Sequence, residues 1–306
     1  MYLYMARRVL QVIPVLFGIS IIVFALINLT PGDPITILLG EDATIEEAER
    51  LTQQLGLDKP WHIRYIQWVG GVVRGDWGQS YRDNRDVLPT IMGFFPATLE
   101  LVLASMALSV GVGVTVGIIS AVRQDTWFDH VTRVGAFLGL SMPNFWVGIM
   151  LILLFAYYFR LLPASGRDGF ATIILPAVTL GTSGMATITR ITRSAMLEVI
   201  RQDYIRTARA KGLHERAVIY KHALRGALTA VITIVGLQLG FRLGGTVVVE
   251  SVFAWPGIGR FAYQRMMQRD YPMIMGNLLI FATLFCLVNL LVDMTYALVD
   301  PRIRYE

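Results

Sequence analysis

The chain has 306 residues, 55% of them hydrophobic and only 16% charged, against about 45–50% and about 25% in soluble domains. With a mean hydropathy of +0.56, this composition excludes an ordinary soluble domain and describes an integral membrane protein. The formal charge of +5 sits in short loops beside apolar runs, which points to a membrane and not to nucleic acid. The single cysteine, Cys286, excludes an intramolecular disulfide.

Arg7 and Arg8 precede an apolar run, Val9–Leu29, long enough to cross about 30 Å of hydrocarbon. The run exceeds a signal-peptide core, and Thr-Pro-Gly-Asp-Pro follows it where a small-x-small cleavage site would stand. An uncleaved first span starting in the cytoplasm is expected over 1–29. Pro14 lies in its first turns, where proline costs least. Residues 30–96 are polar and net acidic, which predicts a small extracytoplasmic subdomain. Pro31-Gly32-Asp33-Pro34 suits a turn. Helical spacing covers Glu46–Leu55 and Trp61–Val73, the second opened by Asp58-Lys59-Pro60. Trp61, Trp68, Trp77 and Tyr81 fit that subdomain or the headgroup level equally well.

The second span is expected over Leu99–Val122, where Gly111, Gly113 and Gly117 allow close helix approach. A short cytoplasmic loop leads to Arg133. The third span, Val134–Phe159, contains Ser141-Met142-Pro143-Asn144. A proline beside an asparagine in mid-span implies a kink whose freed backbone groups need partners. That kink serves either packing or a pathway, so Pro143 and Asn144 are pathway candidates. The fourth, fifth and sixth spans read as Thr172–Ile191, Ala227–Val249 and Gly276–Val299, with Glu250–Met275 external. Residues 97–299 then form the transmembrane core, and 300–306 a cytoplasmic tail. The fold class is all-α, with six transmembrane helices and both termini in the cytoplasm.

Between spans four and five lies EVIRQDYIRTARAKGLHERAVIYKHALR, Glu198–Arg225. Each of its arginines or lysines would cost roughly 2.5–3.5 kcal/mol at a bilayer centre, so it must be a loop, and its sign puts it in the cytoplasm. Helix formers run to Lys211, and Gly212 then breaks them. A short helix, a glycine turn and a second helix make a rigid knob suited to docking.

The chain offers no catalytic residue and no metal site. Its lysines are Lys59, Lys211 and Lys221, and none follows a glycine, so no phosphate-cradling GxxxxGK[ST] loop exists. His62, His130, His214 and His222 are scattered, and no nucleophile motif appears. Two charges fall inside spans. Asp293 lies about six residues, roughly 9 Å, from the cytoplasmic end of the sixth span; it suits a structural hydrogen bond or a proton relay. Arg242 lies about seven residues from the external end of the fifth and could attract an anionic group on a substrate. Their depths differ too much for a salt bridge.

YIRTARAKGL at Tyr204–Leu213, followed by HALRGAL at His222–Leu228, closely resembles the cytoplasmic coupling loop of ABC-importer permeases. Pro31-Gly32-Asp33-Pro34, Gly56-Leu57-Asp58-Lys59-Pro60, Gly75-Asp76-Trp77-Gly78, VFAWPGIGR at Val252–Arg260, Arg269-Asp270-Tyr271-Pro272 and the ending DPRIRY extend the likeness along the chain. It is similar to the first permease subunit of the dipeptide/oligopeptide/nickel importers. Arg206-Thr207-Ala208 takes the positions of that family's EAA, and Gly212 its glycine. The first of the three departs from the general pattern, and Thr229-Ala230 stands where Ile-Pro is usual.

The resemblance implies a type I ABC importer permease in a bacterial inner membrane. It implies four kinds of partner: a second homologous permease, two cytoplasmic ATPases, an extracytoplasmic binding protein and the lipid bilayer. ATP and Mg2+ would be held by the ATPases, with no cofactor on this chain. It also implies that Glu198, Asp203, Tyr204, Arg206, Thr207, Ala208, Ala210, Lys211 and Gly212 couple to an ATPase, Ala208 and Gly212 by permitting close approach. Dipeptides or oligopeptides are the expected substrates, with glutathione and nickel chelates as alternatives. A self-powered secondary transporter or channel would explain the spans but not the basic knob. A membrane anchor that only recruits a cytoplasmic partner is a further alternative, against which the proline- and glycine-broken spans argue for a moving pathway.

Overall fold

The computed structural model describes residues 2–29, 35, 39, 44–54 and 56–299. The expected turn at 31–34 and the tail at 300–306 lie outside them. The described residues are almost wholly helical; extended pairing amounts to one bridge, Gln79 with Asp86.

Helix α1 is Tyr2–Leu29, with Pro14 inside. Helix α2, Ile45–Gln54, opens on a reciprocal cap: Glu47 N–H donates to Thr44 Oγ1 at 3.3 Å, and Thr44 N–H donates to Glu47 Oε2 at 3.0 Å. Each satisfies a backbone donor that the helix start leaves free. Helix α3, Trp61–Arg74, stops at Gly75. Helix α4, Val87–Val122, is 36 residues long, about 54 Å. It starts well before the Leu99 expected for the second span, because the apolar run extends back through Pro96 to Val87.

The expected third span is two helices, α5 (Trp127–Ser141) and α6 (Asn144–Leu151), the latter continuing as a π-helical turn over Ile152–Tyr158. Met142 and Pro143 are extended between them (ψ 127° and 138°), and the arms bend by 107°. A proline lacks the N–H that would carry the helix on, so the predicted kink is a full break. Helix α7 is Phe170–Ile200, longer than expected at its C-terminal end. After it come α8 (Asp203–Ala210), one turn at Glu215–Ala217 and a π-helical segment, Val218–Ala223, that runs into α9 (Leu224–Val252). The segment read as external contains α10, Ile258–Met267, and α11 begins at Tyr271 and runs to Val299. Among the described residues, five helices are long and apolar enough to cross a membrane, and the bent α5–α6 pair makes a sixth crossing when taken as one span.

The chain divides into two compact units. One holds Ala97–Pro256 and the last helix from Leu287. At its centre α7 packs on α5, α6 and α9. One core gathers Ala97, Leu101, Leu180, Phe253 and Trp255. The Trp255 indole, fully buried, donates to Ala97 O at 2.8 Å, which satisfies a polar group that would otherwise be stranded. Gly117 of α4 lies against Thr189 and Thr192 of α7, where a Cβ would come within 2.7 Å of Thr192. Gly113 behaves likewise, whereas Gly111 faces open space.

The other unit holds Tyr2–Pro96 and Gly257–Cys286. In it α1 meets α3 through Ser20 and Tyr65, whose hydroxyls are 2.8 Å apart, and through Phe24 edge-on to Tyr65. Val87, Ile91, Ile258, Phe261 and Met273 form its apolar core. Arg265 bridges Asp83 (2.8 Å) and the buried Asp270 (3.1 Å). Its guanidinium holds the Asp83 carboxyl down to about 2.

Candidate functional site

The helix–glycine–helix element read from the sequence is present. Asp203 stands in the first turn of α8 and Arg209 in its last, each complementing the helix dipole at its end. Gly212 has φ +75°, a left-handed conformation that favours glycine. Across the turn, Arg209 clasps Glu215 with bonds of 2.8 and 3.2 Å. This ties the end of α8 to the returning arm and raises the Arg209 guanidinium above its ordinary value.

Helix α8 has two faces. Ile205 and Ala208, three residues apart, turn inward and are buried. They pack with Val218, Ile219 and Ala223 of the returning arm, with Met196 of α7 and with Ile118 and Ala121 at the end of α4. Asp203, Tyr204, Arg206, Thr207, Ala210, Lys211 and Gly212 are exposed, as is Glu198 on the last turns of α7. Ala208 therefore does not present itself for close approach by another protein, as the resemblance implied. Its small side chain lets α8 lie flat on its own chain. Tyr204 folds back over Gly226, where a Cβ would come within 2.6 Å of its hydroxyl. Arg206 and Asp203 are 3.5 Å apart but both highly exposed, so their pairing contributes little.

Asp129 of α5 falls in the stretch expected as a short cytoplasmic loop before Arg133, yet it is fully buried. It accepts from Arg193 Nε at 2.6 Å and Nη2 at 2.7 Å, from the Ser120 hydroxyl and from Asp125 N–H at 3.1 Å. This bidentate cluster ties the ends of α4 and α5 to α7, beside the apolar seat of α8. The sequence carries little signal for this pair, because Arg193 and Asp129 lie 64 residues apart in the chain.

Within the membrane core, Arg242 of α9 is 4% exposed. Its Nη1 donates to Ser105 Oγ at 2.6 Å and Leu180 O at 3.2 Å, and its Nη2 to Ser109 Oγ at 2.7 Å. Gly184 leaves the room it occupies; a Cβ there would collide with the guanidinium. Its Nε has no hydrogen-bond partner among the described residues. Glu250, which the sequence reading placed at the start of an external segment, is also buried and accepts from Thr98 at 2.6 Å. Pro143 is exposed and Asn144 half-buried at the α5–α6 break. The Asp293 side chain lies outside the described residues. Among those residues, no three His, Cys, Asp or Glu side chains group as metal ligands would.

Comparison with known proteins locates this arrangement. The family model described as binding-protein-dependent transport system inner membrane component matches residues 113–305, and its N-terminal companion matches residues 1–102. The chain is 42% identical to the dipeptide transport system permease protein DppB of Alkalihalophilus pseudofirmus, covering 100% of both chains. It is 42% identical to DppB of Escherichia coli K12, over 99% of each. It is also 42% identical to the glutathione transport system permease protein GsiC of that strain, again over 99% of each. Among solved structures, an inward-facing form of the MetNI methionine ABC transporter superposes with a TM-score of 0.55 at 19% identity, covering 69% of this chain and 96% of that one.

Proposed function

This chain belongs to the family of binding-protein-dependent transport system inner membrane components, and from that membership we propose that it is a permease subunit of an ATP-driven importer of dipeptides and oligopeptides. It is a multi-pass inner-membrane protein. In our reading it forms half of the pathway beside a second, homologous permease. Two cytoplasmic ATPases power it, using ATP and Mg2+ that they bind themselves. An extracytoplasmic binding protein delivers the substrate, and both termini face the cytoplasm. The peptide assignment is supported by the full-length likeness to the two DppB proteins. Glutathione, itself a peptide, is the second reading, because the identity to GsiC is the same 42%.

The observation that carries the mechanism is the two-faced helix α8. Its outer face is polar and exposed, and its inner face is seated on the ends of α4 and α7. A partner ATPase that grips the outer face and moves would carry α8 as a rigid body. The seat would pass that displacement to two spans, since packed interfaces shift between discrete arrangements and deform little in between. Asp203, Arg206 and Lys211 would set the register of the grip by charge, with Tyr204, Thr207, Ala210 and Gly212 filling the contact and Glu198 at its edge. The α5–α6 break at Pro143 and Asn144 is the position at which a span could bend during the cycle. Arg242 and Asp293 remain the charged pathway candidates.

The test is reconstitution of the chain with its permease partner, ATPases and binding protein in proteoliposomes. Labelled dipeptides should accumulate only with ATP, and more readily than glutathione. Accumulation by this chain alone, without ATPases, would make it a self-powered transporter.

A further inference from the structure

A cavity of about 450 Å³ lies beside the α8 hairpin and is not used by the coupling mechanism. Its floor is apolar: Ile118, Ile119 and Val122 from α4, Phe128 from α5 and Ile219 from the returning arm. Its rim carries Arg123 and Arg216. The backbones of both arginines are fixed. Arg123 N–H donates to Ile119 O at 2.9 Å, and Arg216 N–H donates to the ring of His214 at 3.2 Å. Both side chains are exposed, and neither guanidinium has a hydrogen-bond or ion-pair partner among the described residues. The carboxylate at the rim, Glu215, is already held by Arg209 at 2.8 Å. The lining therefore carries two arginines against one carboxylate that is already paired, over an apolar floor.

Its level relative to the membrane is marked independently. Trp127 is 78% exposed next to Phe128, and Tyr220, another lining residue, is 57% exposed. Large amphipathic rings left open at the ends of apolar helices belong at the headgroup layer.

We propose that this cavity binds an anionic phospholipid, its phosphate between Arg123 and Arg216 and the start of an acyl chain along Ile118, Val122 and Phe128. Two charges flanking an apolar slot at headgroup depth match an anionic headgroup continuous with a hydrocarbon tail. A soluble phosphate would leave the apolar floor uncovered. A lipid held here would lie against Ile118 and Ile219, which belong to the seat of α8.

The test uses the full chain, alone and in its assembled complex, in nanodiscs of phosphatidylcholine with or without phosphatidylglycerol. Native mass spectrometry then counts the lipids that stay bound. The wild type should retain phosphatidylglycerol in preference to phosphatidylcholine in both forms. R123Q/R216Q should lose that preference by about fivefold per arginine removed. R225Q, an exposed arginine outside the cavity, should keep it, and unchanged thermal unfolding of the double variant shows that it folds. No preference in the wild type, an undiminished preference in R123Q/R216Q, or an equal loss in R225Q overturns the proposal. A preference seen in the lone chain but absent from the complex also overturns it, because the arginines would then belong to the ATPase interface.

Discussion

At Arg242 a charge sits where burial is expensive, and three oxygens offset the cost. A buried ionised group carries a desolvation penalty of several kcal/mol unless its donors are satisfied. Here two serines of α4 and a carbonyl of α7 receive three bonds from the guanidinium. The arginine thus pins α9 to both neighbours. Ser105→Ala and Ser109→Ala each remove an acceptor from a charged donor. Each should lower unfolding stability in detergent by about 1–2 kcal/mol, between the usual worth of such a bond and the smaller values found inside membranes. The pair together should exceed either alone. Unfolding curves unchanged in both variants would mean that the guanidinium finds other partners at no cost. From sequence, the arginine itself was evident as a charge within an apolar run. Its partners were not, because hydroxyls 133 and 137 residues away in the chain carry no local pattern. Asp129 escaped for the same reason: beside Asp125 and Arg133 it looks like one more loop charge, and only the approach of Arg193 explains its burial.

The α8 hairpin is the element where local sequence decided most. Gly212 ends a run of helix formers and takes a positive φ, both consequences of its missing Cβ. No atom lies within 4 Å of where that Cβ would be, so a side chain here meets strain and not a clash inside this chain. Gly212→Val should carry about 1–3 kcal/mol of backbone strain, tilt the hairpin and abolish most ATP-dependent uptake while the protein still reaches the membrane. Gly212→Asn, which tolerates the left-handed region, should keep most of it. Equal uptake by wild type and both variants would remove the turn from coupling. The two faces of α8 were also readable, since Ile205 and Ala208 three apart are a helical stripe. The likeness to the EAA pattern implies an outward role for Ala208, whereas the stripe faces inward. The π-helical segment Val218–Ala223 and the sharpness of the bend at Pro143 were not readable, because both depend on how neighbouring helices resupply backbone bonds.

Over the whole chain, the number of crossings turns on the α5–α6 pair. Its arms diverge by 107°, so whether they cross together decides the side of everything after them. With the N-terminus in the cytoplasm, as proposed, a crossing pair puts residues 160–169 outside and Thr126 and the α8 hairpin inside, in accord with the basic charge of Glu198–Arg225. If the arms do not cross, Thr126 and Ser165 share a side and the hairpin is on the other. Cys286 is the single cysteine and is buried, so Cys286→Ala gives a background on which Thr126→Cys, Ser165→Cys and Ala210→Cys can be placed one at a time. All three positions are exposed. With a membrane-impermeant maleimide applied from outside the inner membrane, S165C should label and T126C and A210C should not; inverted vesicles from cells that express this chain without the ATPases, which leaves position 210 uncovered, should reverse the pattern. Labelling of T126C and S165C from the same face would reduce the crossings to five and put the hairpin beyond the reach of a cytoplasmic ATPase. The coupling mechanism would then fail even though the helix α8, its glycine turn and its apolar seat were all intact.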